Sequence, residues 1–381
     1  MIQEVALATS PVLLCGPHEA EICGSAEPMD VRLGFRRFTL GVQTICNAGS
    51  ETVPPVGMAV SFAHMVLESS ATAPVSTNEA DLYLLHYTRM TRCTDPRDYV
   101  YSLVGVLQKH FDLQVNYARP FKEVYLEATA AFMRHSRSLD LLMGGQFDRE
   151  GWPSWVTDFG NSDQRYFEPT CHTFMFKRAF NAAKGATFPL RLVDQDAIGI
   201  SAHFVGTVDQ VCQGLENMDA PDSQCRATIH RWHTLYQDFL HSSKSHNLDG
   251  ALPQATSEPH AFWKTMCIGD RDYSPSTKFG RVGGISFTSW DQYYQHLANI
   301  LDSTEAAILD DEIWRAPNGM TRTCAFFITS KGYIGVAAGP IALGDQLAIL
   351  AGCRFPFCVR PSDKADGNAY KLAAPAYVEG K

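Results

Sequence analysis

Asp158, Asp163, Tyr166 and His172 make the densest titratable group near the tryptophan-rich segment, with Trp152, Trp155, Phe159 and Phe167 before and among them. Carboxyl, phenol and imidazole groups cover proton affinities from acid to base. Such a set is suited to moving a proton at a bound substrate. The tryptophans and phenylalanines supply the apolar walls that a small-molecule pocket places around a few polar groups. If the chain is an enzyme, His172, Asp158 and Tyr166 are the expected catalytic groups, and Trp152, Trp155, Phe159 and Phe167 the expected lining. Cyclisation or isomerisation of an apolar compound fits, because it proceeds by orienting a reactive substrate beside one acid or base and needs no cofactor. Cys171 precedes His172 directly, but a nucleophile and its base meet in space and not along the chain, so no dyad is read there.

Other patterns point away from chemistry. His230 and His233 stand three apart on an expected helix, with Cys225 before and His241 after. That spacing shares a face, yet there is no HExxH pattern and no second ligand cluster, so solvated histidines are expected and no metal. Gly280-Arg281-Val282-Gly283-Gly284 lacks the GK[ST] ending and the strand–turn–helix setting of a phosphate loop. No GxSxG elbow occurs. No cofactor is therefore expected. The eleven cysteines contain no CxxC pair, which predicts reduced, mostly buried thiols and no zinc ribbon. Asp95-Pro96-Arg97-Asp98 reads as a capped helix start, with Arg97 expected to pair with a carboxylate across the fold.

The elements that must position these residues come in alternating blocks. Ile2–Ala8 reads as the tail of a helix, and Val12–Cys15 as a short strand closed by Gly16. Residues 69–78 are rich in Ser, Thr, Ala and Pro and read as a surface connection. Tyr99, Val100, Leu103, Val104 and Leu107 recur at helical spacing. Pro120 opens a second helix with Phe121, Val124, Tyr125, Ala128 and Phe132 on one stripe; Glu123 lies in its first turn and Arg134 and His135 in its last, matching the helix dipole.

Trp152–Val156 reads as extended, and Leu190–Val193 and Ala197–Val208 as strands joined by a turn at Asp194–Asp196. Residues 226–302 return to helix. Cys324–Thr329, Tyr333–Val336, Gln346–Leu350 and Phe357–Arg360 read as strands. Strands never alternate regularly with crossover helices, so the fold class is α+β: a helical region plus antiparallel β segments in a compact body, not a Rossmann fold or a TIM barrel.

Composition sets outer bounds. The 381 residues suffice for two domains. Hydrophobic residues at 45% and charged residues at 19% fit a globular chain with a large core. A net charge of -9 supplies no basic field for nucleic acid or anionic lipid. The acidic start Met1-Ile2-Gln3-Glu4 is unlike a signal peptide, and no apolar run approaches the roughly 18 residues of a membrane span. A cytoplasmic protein is expected, bound to no nucleic acid and no membrane. Its partner is expected to be a small apolar molecule or another protein, with the oligomeric state open.

Several blocks carry a family resemblance. Thr94-Asp95-Pro96-Arg97-Asp98-Tyr99-Val100-Tyr101-Ser102-Leu103-Val104-Gly105 resembles the "DPRDkvYallGl" block of fungal heterokaryon-incompatibility proteins. Residues 116–128 stand where that family has "DYsk…eeVYleaar", and Trp152–Phe159 resembles its "LPSWvPDw" segment, with Thr157 in place of the proline. Residues 180–185 and 205–211 are similar to "fnAsgg" and "G..vDtI". Residues 327–335 with Gly344-Asp345, residues 352–361 and residues 376–380 are similar to "fvT.kGylGl…GD", "G…PfvlRp" and "aYvhGi". The blocks keep the family order across 94–380.

Ile2–Ala8 resembles the segment that closes the family's incompatibility domain, a domain distantly related to TIR signalling domains and thought to trigger cell death. The resemblance implies that this effector lies outside the chain. It also implies three regions: 1–80, the end of the incompatibility domain plus a variable connector; 81–150, a helical subdomain; and 151–381, a mixed α+β region with a C-terminal β-rich module. The function it implies is a regulatory or recognition scaffold, with the recruited cyclase or isomerase as the alternative.

Overall fold

A computed structural model of the chain describes residues 12–15, 18–21, 93–104, 113–145, 150–160, 180–186, 191–194, 196–215, 220–245, 252–268, 289–302, 311–362 and 369–379. The chain divides into two units, one of residues 1–136 and 156–162, the other of residues 137–155 and 163–381.

In the first unit, β1 (Val12–Cys15) and β2 (His18–Glu21) form an antiparallel hairpin, with β1 where the sequence predicts a strand. Helix α1 (Asp98–Val104) starts as its sequence dictates: Asp95 Oδ1 accepts the Arg97 amide at 3.0 Å, and Pro96 fills a first-turn position that has no donor to satisfy. Helix α2 (Phe121–Ser136) follows Pro120 and buries Val124, Tyr125, Ala128 and Phe132, four of the five stripe positions. Tyr125 carries the core between elements. Its ring meets Phe159 edge-on at 5.2 Å, and its hydroxyl donates to the Pro96 carbonyl at 2.8 Å.

The second unit centres on a closed, all-antiparallel barrel of six strands: β5 (Ala202–Cys212), β6 (Ala325–Thr329), β7 (Ile334–Ala337), β8 (Gln346–Leu350), β9 (Pro356–Pro361) and β10 (Tyr370–Val378). Around the barrel the order is β10–β7–β6–β5–β8–β9. The two long strands serve as corners. Residues 202–207 of β5 pair with β8 and residues 208–212 with β6. Residues 370–375 of β10 pair with β9 and residues 376–378 with β7.

The sequence marks both corners. Gly206 lies where β5 changes partner, at a register break; glycine bends a strand and lets backbones approach. Pro375 lies where β10 changes partner, the position at which a missing ladder donor costs least. Alternation then sorts the side chains. Val205, Val208, Phe327, Ala337, Leu347, Cys358, Ala374, Ala376 and Val378 fill the interior.

Between β5 and β6 lie α3 (Asp222–Ser245), α4 (Gln254–Ser257), α5 (Ala261–Met266), α6 (Trp290–Asp302) and α7 (Asp311–Thr323). Phe326 of β6, beside the inward Phe327, receives this layer on the outside of the barrel. Trp232 of α3 stacks on it at 6.0 Å and Phe262 of α5 meets it edge-on at 5.6 Å. A short hairpin, β3 (Arg191–Leu192) with β4 (Ile198–Gly199), precedes β5.

The fold is therefore mixed α+β, with antiparallel sheets and neither a Rossmann nor a TIM arrangement. The predicted extended stretch Trp152–Val156 is instead a succession of turns. Ile2–Ala8, Leu107 and Gly280–Gly284 lie outside the described residues. Among the described residues, no helix is long and apolar enough to cross a membrane.

Candidate functional site

His172, Tyr166 and Phe167 lie outside the described residues. The other four predicted site residues fall in two pairs, Asp158 and Phe159 in the first unit, Trp152 and Trp155 in the second. Phe159 is 0% exposed against Tyr125. Asp158 is also buried, and its Oδ1 accepts the Gly160 amide at 3.1 Å, closing a local turn. The chain must stay thin there: a Cβ on Gly160 would come within 2.8 Å of the Tyr125 hydroxyl. The Thr157 amide donates to Thr129 Oγ1 at 3.2 Å, which ties this turn to α2. Trp155 is buried and donates its indole N–H to the Asp196 carbonyl at 3.1 Å, while Trp152 is half-buried.

The conspicuous polar site of the first unit surrounds the Asp-Pro-Arg-Asp motif. Arg97 does not reach a carboxylate across the fold, as its sequence suggests. It closes on Asp95, two residues away, with Nε at 2.8 Å and Nη2 at 2.6 Å. The remaining guanidinium nitrogen donates to the carbonyls of Tyr117 and Arg119, so Arg97 clips the 116–119 turn to the start of α1. A cap geometry already presents the Asp95 carboxylate beside Arg97, which is why the local partner wins. Tyr117, 51% exposed, donates its hydroxyl to Asp98 at 2.5 Å. That hydrogen bond, with lesser help from burial, pushes its phenol up to about 12. Arg119 pairs with Glu127 and Glu123 of α2.

In the second unit, buried acids sit outside the predicted catalytic set. Asp140 lies in a 3-10 turn, Asp140–Gly144, and accepts the Arg354 amide at 3.0 Å and the Arg354 Nε at 2.6 Å. Arg354 in turn lies over the Phe355 ring at 5.6 Å. Phe180 spans from Phe355, at 5.4 Å, to Tyr377, at 5.5 Å. Tyr377 donates its hydroxyl to the buried Glu379 at 2.5 Å. On the barrel, Asp345 takes Arg360 bidentately at 2.7 and 2.8 Å and the Ala342 amide at 2.8 Å. A lone acid inside an apolar run, as in Leu139-Asp140-Leu141-Leu142, is the signal that marks such a residue, because an unpaired buried charge is too costly to keep.

These groups organise structure more readily than they react. Burial, reinforced by Asp140, raises the Cys353 thiol well above its ordinary value, and burial also raises Cys358, so both are held as thiols and not nucleophiles. None of the seven described cysteines is in a disulfide. Among the described residues no group of three His, Cys, Asp or Glu side chains could hold a metal. His230 is exposed on α3, whereas His233 packs edge-on against Phe262 at 5.0 Å and beside Trp263 at 6.1 Å.

Neither a curated protein nor a solved structure matches the chain. Residues 294–381 match the family model of the Het-6 beta-barrel domain. The matched stretch contains β6 to β10 but not β5, so the strand that closes the barrel comes from upstream of it. Over that stretch the chain is similar to this domain family.

Proposed function

We propose that the chain is a regulatory or recognition scaffold of a fungal heterokaryon-incompatibility system, acting through a partner protein or small molecule held on its outer surfaces. The observation that carries this reading is the filled barrel. Eight strands give an interior just wide enough for side chains, and this barrel has six, packed from Val205 to Val378 with the protein's own residues. A ligand then meets the outer face of the barrel, its turns and the helical layer, surfaces suited to recognition. The commitment of Asp140, Asp345 and Arg97 to partners within their own units supports the same reading.

The test is expression in a filamentous fungus followed by confrontation with tester strains. Growth is expected to be unaffected by expression alone and altered in a strain-dependent way on confrontation. An identical outcome in every pairing sinks the scaffold reading. Turnover of an apolar metabolite by the purified chain, lost in a folded Asp158→Asn variant, would establish the cyclase or isomerase in its place.

A further inference from the structure

The strands β6 to β10, all within residues 325–378, pair as β6–β7–β10–β9–β8, a ribbon whose two edges are β6 and β8. β5 covers both edges, yet it comes from more than a hundred residues earlier. Its two halves are held very differently. Just beyond the second half, Gly214 lies so close to the carbonyls of Cys324 and Thr321 that a Cβ would sit 2.2 and 2.4 Å from them. Gln213 Nε2 donates to the Ile341 carbonyl at 2.8 Å and the Leu215 amide to Thr321 at 2.6 Å. That end is fastened to α7 and to the barrel.

The first half is exposed at Ala202, His203 and Phe204, the last at 39%, and Val205 alone of residues 202–206 is fully buried. Its register against β8 breaks between Phe204 and Gly206. Beyond the ladder, residues 201–206 are held by Val205 in the barrel core, by a ring contact of Phe204 with Tyr370 at 5.1 Å and by the Ala351 amide donating to the Ser201 carbonyl at 2.9 Å, whereas Thr207, past the bend, exchanges hydrogen bonds with Ser330. A strand with little buried surface next to a glycine bend is the part of a sheet that opens first.

We propose that the edge of β8 is a strand-acceptor site, uncovered when residues 202–206 hinge away at Gly206, and that its occupant is the same segment of a second copy of this chain. The uncovered edge, Leu347–Leu350, is apolar and regular, a template for β-addition. The segment that fits it is already defined, because Ala202 pairs with Leu350, His203 with Ile349, Phe204 with Ala348 and Gly206 with Leu347. Reciprocal exchange between two copies remakes each of those pairs, so the dimer forfeits no contact within the barrel. Intramolecular closure prevails at low concentration and exchange emerges as concentration rises.

The test uses the full chain. In native-state hydrogen exchange, the amides of residues 202–206 are expected to exchange at least ~10-fold faster than those of β6 and β7. A labelled peptide of residues 200–208 is expected to bind saturably, its Val205→Asp form is not, and sedimentation is expected to show a dimer at high concentration that the peptide dissociates. Equal protection of residues 202–206 and β6, indistinguishable binding of the two peptides, or a monomer at every concentration each overturns the proposal.

Discussion

Asp345 is 1% exposed, yet its carboxylate takes both the Arg360 guanidinium and the Ala342 amide. Removing one partner of such a pair leaves a buried charge that has lost its strongest contact. Arg360→Ala is expected to cost about 2–3 kcal/mol, at the lower end for a buried pair because the arginine side chain is 46% exposed and the Ala342 amide remains. Urea midpoints measure it, and Asp345→Ala/Arg360→Ala should recover part of the loss in a double-mutant cycle. Tyr236 supplies a pH dependence. Burial raises its phenol from 10.0 to about 12, and its hydroxyl donates to the Thr256 carbonyl at 2.9 Å. Because the folded value lies above the unfolded one, this stabilisation is complete below pH 10 and drains away as pH rises toward 12. Alkaline unfolding of Tyr236→Phe should therefore show a shallower loss of stability across that window than the unmodified chain. Equal slopes would show that Tyr236 does not govern the alkaline limb.

At the scale of elements, what could be read in the sequence was what local chemistry decides. The Asp95 cap, the stripe of α2 and the β3–β4 hairpin all rest on neighbours a few residues apart. Strand β10 escaped the periodicity reading because Ala373, Ala374, Pro375 and Ala376 carry little β signal; its conformation comes from two neighbouring strands and a corner. The site divided in the same way. Asp158 and Phe159 stood out from their surroundings, whereas the Asp140–Arg354 pair spans 214 residues and no spacing rule reaches it. Two substitutions test the local backbone. Arg137, exposed and directly after α2, has φ of 51°, a left-handed value at which glycine is free of Cβ strain. Arg137→Gly is expected to raise stability by about 0.5–1 kcal/mol in thermal unfolding. Gly335 in β7 is the opposite case, since a Cβ there would lie 2.4 Å from the Tyr377 carbonyl and 2.6 Å from the Phe327 ring. Gly335→Ala should cost about 1–3 kcal/mol by forcing β7 and β10 apart. A neutral effect would mean that the ladder yields there.

At the scale of the whole molecule, the barrel joins a compact stretch of chain to one distant strand. Residues 325–378 supply five strands through short connections, while β5 is separated from β6 by the entire helical layer. Closing that long loop carries a chain-entropy cost that is recovered only when β5 docks, so its contacts belong late in folding. Val208 and Ile328 lie side by side in this logic. Val208 of β5 and Ile328 of β6 are both about 1% exposed, but only Ile328 belongs to the locally connected ribbon. Val208→Ala should remove about 2 kcal/mol, seen almost wholly as faster unfolding with the refolding rate unchanged. Ile328→Val should cost about 1 kcal/mol and slow refolding, because β6 pairs with β7 before the barrel closes. Stopped-flow refolding of the two variants under the same conditions separates these outcomes. Should Val208→Ala slow refolding as well, β5 is part of the nucleus, and the long-range closure precedes the ribbon.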